Sequence, residues 1–268
     1  MHGHSTLASL GVRPRRRLSQ SFLEDQRVAA AIVRAAHIQP LEDVLEVGPG
    51  LGVLTRGLVQ HARRVVAVEI DELLADQLRT ELSVPNLTVC SADVLQTNIT
   101  SLFDGPFVVV ANLPYHITSP VLRHLLRAEP TRMVVMVQRE VGVRIAACAG
   151  RMSALSVLIQ AQARVEVLRH VPKAAFYPRP KVDSVVLRLS RLDEPVVAPG
   201  ELDAFTELVQ AGFKQPRKQL GNSFADGRNL DKAAALGMLQ RADINPSRRP
   251  QELGVADWVR LFEVAQTA

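Results

Sequence analysis

Four consecutive residues, Asn112-Leu113-Pro114-Tyr115, have the types and order needed to make an aromatic amino group react with an electrophile. The exocyclic nitrogen of adenine is a weak nucleophile because its lone pair is delocalised into the ring. A site that methylates it has to accept hydrogen bonds from both N–H groups, so that the lone pair turns toward the methyl donor. The Asn112 amide oxygen and the Leu113 carbonyl can supply both acceptors. Pro114 stiffens the turn and brings no donor of its own, and Tyr115 offers a flat face for an extruded base. An ordinary turn could use Asn and Pro for backbone geometry alone. A cofactor turn upstream favours the chemical reading.

That turn lies in residues 44–71, VLEVGPGLGVLTRGLVQHARRVVAVEID. Val44, Leu45 and Val47 read as a short buried strand, and Gly48-Pro49-Gly50-Leu51-Gly52 bends the chain into an apolar-periodic helix. A second buried strand is expected over residues 65–70. Glu69 follows Gly52 by 17 residues, near the roughly 20-residue offset at which dinucleotide-type folds place the acid that grips a ribose. A nicotinamide dinucleotide calls for G-x-G-x-x-G, with pyrophosphate on the helix N-terminus. Here the spacing is G-x-G-x-G, and Glu46, expected inside the turn, would repel pyrophosphate and suit the ammonium end of a methionine moiety. The residues therefore favour S-adenosylmethionine, held by Glu46, Gly48, Gly50 and Glu69. A third strand over residues 87–90 leaves Asp93 just past its end, where it could accept from the adenine amino group. Glu46, Glu69 and Asp93 are expected to converge on one crevice at the carboxyl ends of the strands.

Around these residues, a helix is expected over residues 25–37 with Asp25 as N-cap, after an irregular piece at residues 18–23. Further helices are expected over 72–82, 119–126, 138–147 and 154–162. Strands are expected over 107–111, 133–137, 164–169 and 185–189. The pattern is an α/β sheet domain. Between the last two strands, Phe176 and Tyr177 beside Arg179 and Lys181 suit either a stacking and phosphate-holding surface or simple packing. His116 and His124 have no evident role, since methyl transfer from a sulfonium needs no strong general base. Near Leu192 the texture turns to Asp-Glu-Pro and Ala-Pro-Gly, a linker signal. Helical spacing over 202–213, 230–239 and 255–265 then predicts a small all-helical domain. Trp258 reads as its core, and Lys214, Arg217 and Lys218 as a basic helix end able to touch phosphates. The organisation expected is a basic arm over 1–17, a sheet domain over 18–192 and a helical domain over 193–268.

The totals fit that organisation. With 268 residues, 47% hydrophobic, the chain can fill a sizeable core. No run of about 18 apolar residues exists, so no membrane span is expected, and the protein is expected to be cytoplasmic and monomeric. Cys90 and Cys148 suggest neither a disulfide framework nor a zinc site and read as small apolar residues; no metal is expected. The net charge is +5, and its location is informative. Lys plus Arg against Asp plus Glu is 10 against 12 in residues 1–112, 12 against 4 in 113–190, and 10 against 11 in 191–268. A basic middle segment is the footprint of a polyanion such as nucleic acid, though an arginine-rich solvated face would look the same.

These residues resemble the ribosomal RNA adenine N6,N6-dimethyltransferases, and among them the small-subunit (KsgA/RsmA) type. The resemblance runs through Gln20-Ser21-Phe22-Leu23, EVGPGLGVLT (46–55), Val68-Glu69-Ile70-Asp71, Asp93, ANLPYHITSPVLRHLL (111–126), Gln138-Arg139-Glu140-Val141, 155–160, FYPRPKVDS (176–184), 213–223 and Ile244-Asn245-Pro246. It implies a Rossmann-like S-adenosylmethionine-dependent methyltransferase with a C-terminal helical domain that binds rRNA. The implied activity is dimethylation of two adjacent adenines in the 3′-terminal hairpin of 16S rRNA, within the small subunit or its precursor. By position, it implies cofactor contacts from Ser21, Leu23, Gly48, Glu69, Asp93 and Asn112, with Asn112, Leu113 and Tyr115 serving the target base. Two departures stand out: Ser19 and Ser21 replace the family's usual Gly and Asn, and Ser153-Ala154 replaces a Tyr-Gly or similar pair. Ser19 is closer to relatives that dimethylate one adenine of 23S rRNA and confer macrolide resistance. The turn 48–52, Thr118-Ser119-Pro120 and Ile244-Asn245-Pro246 are closer to the small-subunit type. A ribosome-assembly factor without catalysis is the reading from another class, and intact Glu69, Asp93 and 112–115 argue against it.

Overall fold

Valine-rich runs too short for helices and bounded by turn residues form the strands of one mixed sheet. The computed structural model describes residues 20–267, so the expected basic arm and Ser19 lie outside the described residues. In chain order the elements are β1 (Phe22–Leu23), α1 (Gln26–Ala35), β2 (Asp43–Val47), α2 (Thr55–Leu58), β3 (Arg64–Glu69), α3 (Glu72–Glu81) and β4 (Leu87–Ser91). There follow β5 (Phe107–Asn112), α4 (Thr118–Arg127), β6 (Arg132–Gln138), α5 (Arg139–Ile145), α6 (Ala154–Gln160), β7 (Ala163–Val171), β8 (Phe176–Tyr177) and β9 (Ser184–Arg191). The last helices are α7 (Leu202–Gly212), α8 (Leu220–Arg228), α9 (Lys232–Arg241) and α10 (Val255–Gln266).

The described residues form two compact units, one running through Gly142 and resuming at Glu166–Ser190, the other made of Val143–Val165 and the chain from Arg191 onward. Residues 143–165, which the sequence pattern groups with the sheet domain, thus cluster with the C-terminal helices.

In the first unit the seven-stranded sheet has the order β4-β3-β2-β5-β6-β9-β7. β2 pairs in parallel with both β3 and β5, and β9 is antiparallel to β6. The chain therefore lays strands to one side of β2 and later to the other, which opens a crevice between the carboxyl ends of β2 and β5. Beneath it, Val44, Val65, Val108, Val110 and Val134 pack with the α1 residues Val28, Ala29, Ile32 and Val33. Asp25 caps α1, its carboxylate accepting from the Arg27 and Val28 amides at 2.8 and 3.3 Å. At the other end Arg132 donates to the carbonyls of Ala36 and His37 at 2.7 and 2.8 Å, and Glu42 accepts from the same guanidinium. That pairing holds the Glu42 carboxyl below its usual range.

The helix expected after the glycine turn is present and short, with four residues, and past Leu58 the chain continues as turns, such as His61 N–H to the Leu58 carbonyl at 3.0 Å. One expectation fails for a physical reason. Residues 22–23 are not irregular but pair antiparallel with 176–177 in a second, two-stranded sheet. No local pattern could reveal a partner so distant in sequence.

In the second unit Trp258 is fully buried, with Phe205, Phe224, Leu208 and Leu261 around it. Its ring stacks on Phe213 at 5.3 Å between centroids. Ser153 starts α6 as a capping box with Ser156, which gives the departure at 153–154 a structural use. The sequence pattern does not predict α8, which ends at Asn229, whose φ of 53° is left-handed. Cys90 is half-buried and Cys148 exposed, so only the first fits the apolar reading. Among the described residues no helix is long and apolar enough to cross a membrane.

Candidate active site

The crevice holds a cavity whose walls include Gln20 to Leu23, Glu46, Gly48 to Leu51, Glu69, Ile70 and Asn112 to Ile117. Gly48, Gly50 and Gly52 all have positive φ (67°, 55° and 71°), a conformation in which a side chain is strained. At Gly52 a Cβ would also come within 2.6 Å of Leu78 Cδ1. The turn is thus built for glycine, and its amides are tied down inside the protein: Gly48 donates to the Val68 carbonyl and Gly52 to the Pro49 carbonyl, both at 2.9 Å.

Glu69 ends β3 and is nearly buried, at 5% exposure. Its Oε2 accepts from the Gly50 amide and its Oε1 from the Asp71 amide, both at 3.0 Å. Burial raises the carboxyl above its ordinary value, and the two amides oppose that. A carboxylate held in this way has lone pairs left for further donors at the cavity. Glu46 lies in β2, two residues before the first turn glycine, and not inside the turn as the sequence suggested. It is buried, and its Oε2 has no hydrogen-bond partner among the described residues. Burial pushes its carboxyl up to about 8, offset in part by Thr55 and reinforced by Glu69.

Asn112 ends β5 and faces the same cavity. Its Oδ1 is buried and also lacks a partner among the described residues. The Leu113 amide donates to the Met136 carbonyl at 3.1 Å, which fixes the backbone that carries the Leu113 carbonyl. The Pro114 carbonyl accepts from Thr118 Oγ1 at 3.1 Å. The Tyr115 hydroxyl bonds Ser184 Oγ at 2.6 Å, and burial raises the phenol above its ordinary value.

Two buried acceptors without partners, a ribose-type acid and a glycine turn are what a ligand with donors at both ends requires. S-adenosylmethionine fits: the residues able to hold it are Ser21, Leu23, Glu46, Gly48, Gly50, Glu69 and Asn112, all in the cavity wall. Ile70, read from sequence as the end of a buried strand, is 52% exposed and adds an apolar face to that wall. The signal for it was an apolar residue directly after the acid at a strand end.

Other expectations land differently. Asp93 stands beyond β4 but does not line the cavity; its carboxylate accepts from the Leu95 backbone amide at 2.9 Å and from the Gln96 side-chain Nε2 at 3.4 Å. A short side chain just past a strand end satisfies its own turn first. Phe176 is 4% exposed, paired opposite Leu23 and packed in the core, so it presents no stacking face. Arg179 and Lys181 are exposed. Lys214 is drawn to Asp226 at 3.1 Å, whereas Arg217 and Lys218 are exposed without an ion pair to any described residue. His124 Nε2 lies 2.9 Å from the Thr97 carbonyl, a structural tie, while His116 is at the cavity rim. Among the described residues no cluster of three or more metal-ligating side chains occurs.

Comparison with known proteins agrees with this geometry. A family model described as "Ribosomal RNA adenine dimethylase" matches residues 11–267. The "Ribosomal RNA small subunit methyltransferase A" of Dehalococcoides mccartyi is 40% identical over 256 residues, covering 93% of this chain and 88% of the relative. That of Staphylococcus aureus is 37% identical over 272 residues, covering 96% and 91%. Among solved structures, the 23S rRNA methyltransferase ErmE superposes with a TM-score of 0.70 at 32% identity, over 91% of this chain and 99% of that one. A dimethyladenosine transferase from Plasmodium falciparum gives 0.75 at 26% identity, over 90% and 95%. With a glycine turn, a ribose-type acid and Asn-Leu-Pro-Tyr on one crevice and a match along nearly its whole length, the chain belongs to the ribosomal RNA adenine dimethylase family.

Proposed function

We propose that this protein dimethylates the N6 amino groups of two adjacent adenines in the 3′-terminal hairpin of 16S rRNA, within the small ribosomal subunit or its precursor. The observation that carries the reading is Asn112 Oδ1, a buried acceptor without a partner among the described residues, on the cavity that Glu69 also lines. Bound there, S-adenosylmethionine supplies an electrophilic methyl group. Glu69 accepts from the ribose hydroxyls, and Glu46 in its ionised form accepts from the ammonium. Ser21 and Leu23 hold the mouth of the cavity. Asp93, one strand over from Glu69, reaches the adenine amino group if its turn opens. Asn112 and Leu113 accept from the target amino group, Pro114 fixes the angle between them, and Tyr115 stacks on the base. No strong base is required, because the proton leaves a nitrogen that has become cationic.

The exposed Arg179 and Lys181, with Arg217 and Lys218 of the helical part (193–268), hold rRNA phosphates; Lys214 contributes less because Asp226 already engages it. A monomer acting in the cytoplasm, where subunits mature, is consistent with this reading. Small-subunit specificity is supported by the names of the two curated relatives, and a 23S rRNA specificity by the name of the superposed ErmE.

The test is methyl transfer from labelled S-adenosylmethionine to undermethylated small subunits and, separately, to protein-free 23S rRNA, followed by nucleoside analysis. Dimethyladenosine on the small subunit alone is expected. Product on 23S rRNA alone would move the protein to the resistance enzymes, and tight subunit binding without transfer would favour an assembly factor.

A further inference from the structure

The first residue of β9 is a serine with none of its surface exposed, yet its hydroxyl reaches a residue of the cavity wall. Ser184 Oγ lies 2.6 Å from the Tyr115 hydroxyl. Tyr115 follows β5 and opens a single 3-10 turn, Tyr115–Ile117, on that wall. Asn112, Leu113 and Pro114 before it are held by the sheet and by the turn. The ring is only partly buried, and its far end, the hydroxyl, is the point at which a bond can fix its orientation.

Ser184 is a fixed point from which to hold it. It sits opposite Gln138 of β6 in the antiparallel register. On one side, Val185 packs so tightly on α5 that a Cβ at Gly142 would fall 2.1 Å from Val185 Cγ1. On the other, the Asp183 carbonyl accepts from the Arg139 amide and its carboxylate from the Lys173 amide, both at 2.9 Å. We propose that Ser184 is a positioning residue for methyl transfer, its hydroxyl holding the Tyr115 ring in the orientation on which the target base stacks. The inference rests on the reading of Tyr115 as the stacking surface. The loop 176–184 thereby gains a second role, since the segment that carries the exposed Arg179 and Lys181 ends on the residue that sets the ring. RNA phosphate and extruded base are registered against one anchor.

The test uses single-turnover methyl transfer to undermethylated small subunits with cofactor and enzyme saturating, together with calorimetric binding of S-adenosylhomocysteine. Tyr115→Phe and Ser184→Ala remove the same hydrogen bond from its two ends. Each is expected to lower the transfer rate roughly tenfold, the size of one lost orienting hydrogen bond, with the S-adenosylhomocysteine affinity unchanged. The double variant is expected to be no slower than either single one, and Ser184→Thr, which keeps the hydroxyl, to stay near the wild-type rate. A purely structural serine would instead give additive losses or none, and either result overturns the proposal. Tyr115→Ala separates the two readings. If it is slow while Tyr115→Phe and Ser184→Ala are not, stacking stands and positioning falls; if it is as fast as wild type, both fall. Should Ser184→Ala fail to fold, Tyr115→Phe decides by the same rate criterion, since it alters the partner that lines the cavity.

Discussion

Glu69 accepts the Gly50 amide hydrogen at 3.0 Å, so the end of β3 and the glycine turn after β2 are joined by a carboxylate rather than by the sheet ladder alone. The same side chain also holds the Asp71 amide. Removing it leaves two donors to find other partners and takes away the acceptor for the ribose. Glu69→Ala is expected to lower stability by about 1–3 kcal/mol and to weaken S-adenosylhomocysteine binding by at least tenfold. Denaturant unfolding and calorimetry read the two effects separately. Wild-type affinity in the folded variant would remove Glu69 from the cofactor site.

Asn112→Ala removes an acceptor that has no other duty among the described residues, so its structural cost should be small. Its chemical cost should be large: loss of one preorganised group at the reacting atom typically slows a reaction about 10²–10³-fold. Small-subunit binding, measured by sedimentation, is expected to persist while transfer collapses. A variant that transfers methyl groups at the wild-type rate would show that Asn112 does not activate the target nitrogen.

The strands were legible because valine-rich runs at 44–47, 65–69, 107–111 and 133–137 carry both their length and their burial on the surface of the sequence. The cavity was legible through chemistry-bearing residues at strand ends. Three things were not legible, each for its own reason. An aromatic beside basic residues does not say which way its ring faces, and Phe176 turns inward to pack with Leu23 and Val186. Asp93 looks like a ligand by position, yet the Leu95 amide and the Gln96 side chain engage its carboxylate. α8 was hidden by Gly221, Asn222, Ser223 and Gly227, residues that break a helical pattern in isolation. The structure shows why one of them is there: a Cβ on Gly227 would sit 2.2 Å from the Ala211 carbonyl oxygen of α7. Tertiary contact requires the residue that local propensity rejects.

Gly227→Ala follows directly from that contact. The neighbour is backbone, which cannot swing aside as a side-chain end can, so the helices must separate. The expected loss is about 1–3 kcal/mol or more, the usual cost of overpacking, and it should appear as an earlier unfolding of the helical part in hydrogen exchange of α7 and α8. Unchanged exchange there would mean that the two helices can move apart at no cost.

The buried carboxyls predict how stability depends on pH. Glu46 is raised to about 8 and Glu69 is raised too, both chiefly by burial. A carboxyl raised in the folded state binds its proton more tightly there than in the unfolded chain. Its contribution to stability is full below the unfolded value near 4.5 and is lost as pH climbs through the folded value. The ligand-free protein is therefore expected to lose stability between about pH 5 and 8, by roughly 1.4 kcal/mol per pH unit for one group at the steepest. Glu46→Gln, which needs no proton, should flatten that slope. Urea midpoints that are equally steep in the variant would assign the dependence to other groups.

The last prediction separates two kinds of surface cation. Lys214 lies 3.1 Å from Asp226, whose carboxylate offsets its charge, while Arg217 and Lys218 stand exposed without such a pair among the described residues. A lysine that must leave a carboxylate to meet a phosphate gains little by the exchange, whereas an unpaired cation releases a counterion from the RNA. Replacing Arg217 and Lys218 together by Ala should weaken rRNA binding and reduce the slope of log K against log salt by about 1.5 to 2. Lys214→Ala should change that slope by clearly less than one such contact. Methyl transfer at saturating subunit concentration should be unaffected in each case, because these residues lie in the helical part of the chain and do not line the cavity. Binding that responds equally to all three substitutions would mean that the Lys214 pairing with Asp226 does not survive contact with RNA, and a flat salt response in the native protein would place recognition outside phosphate contacts altogether.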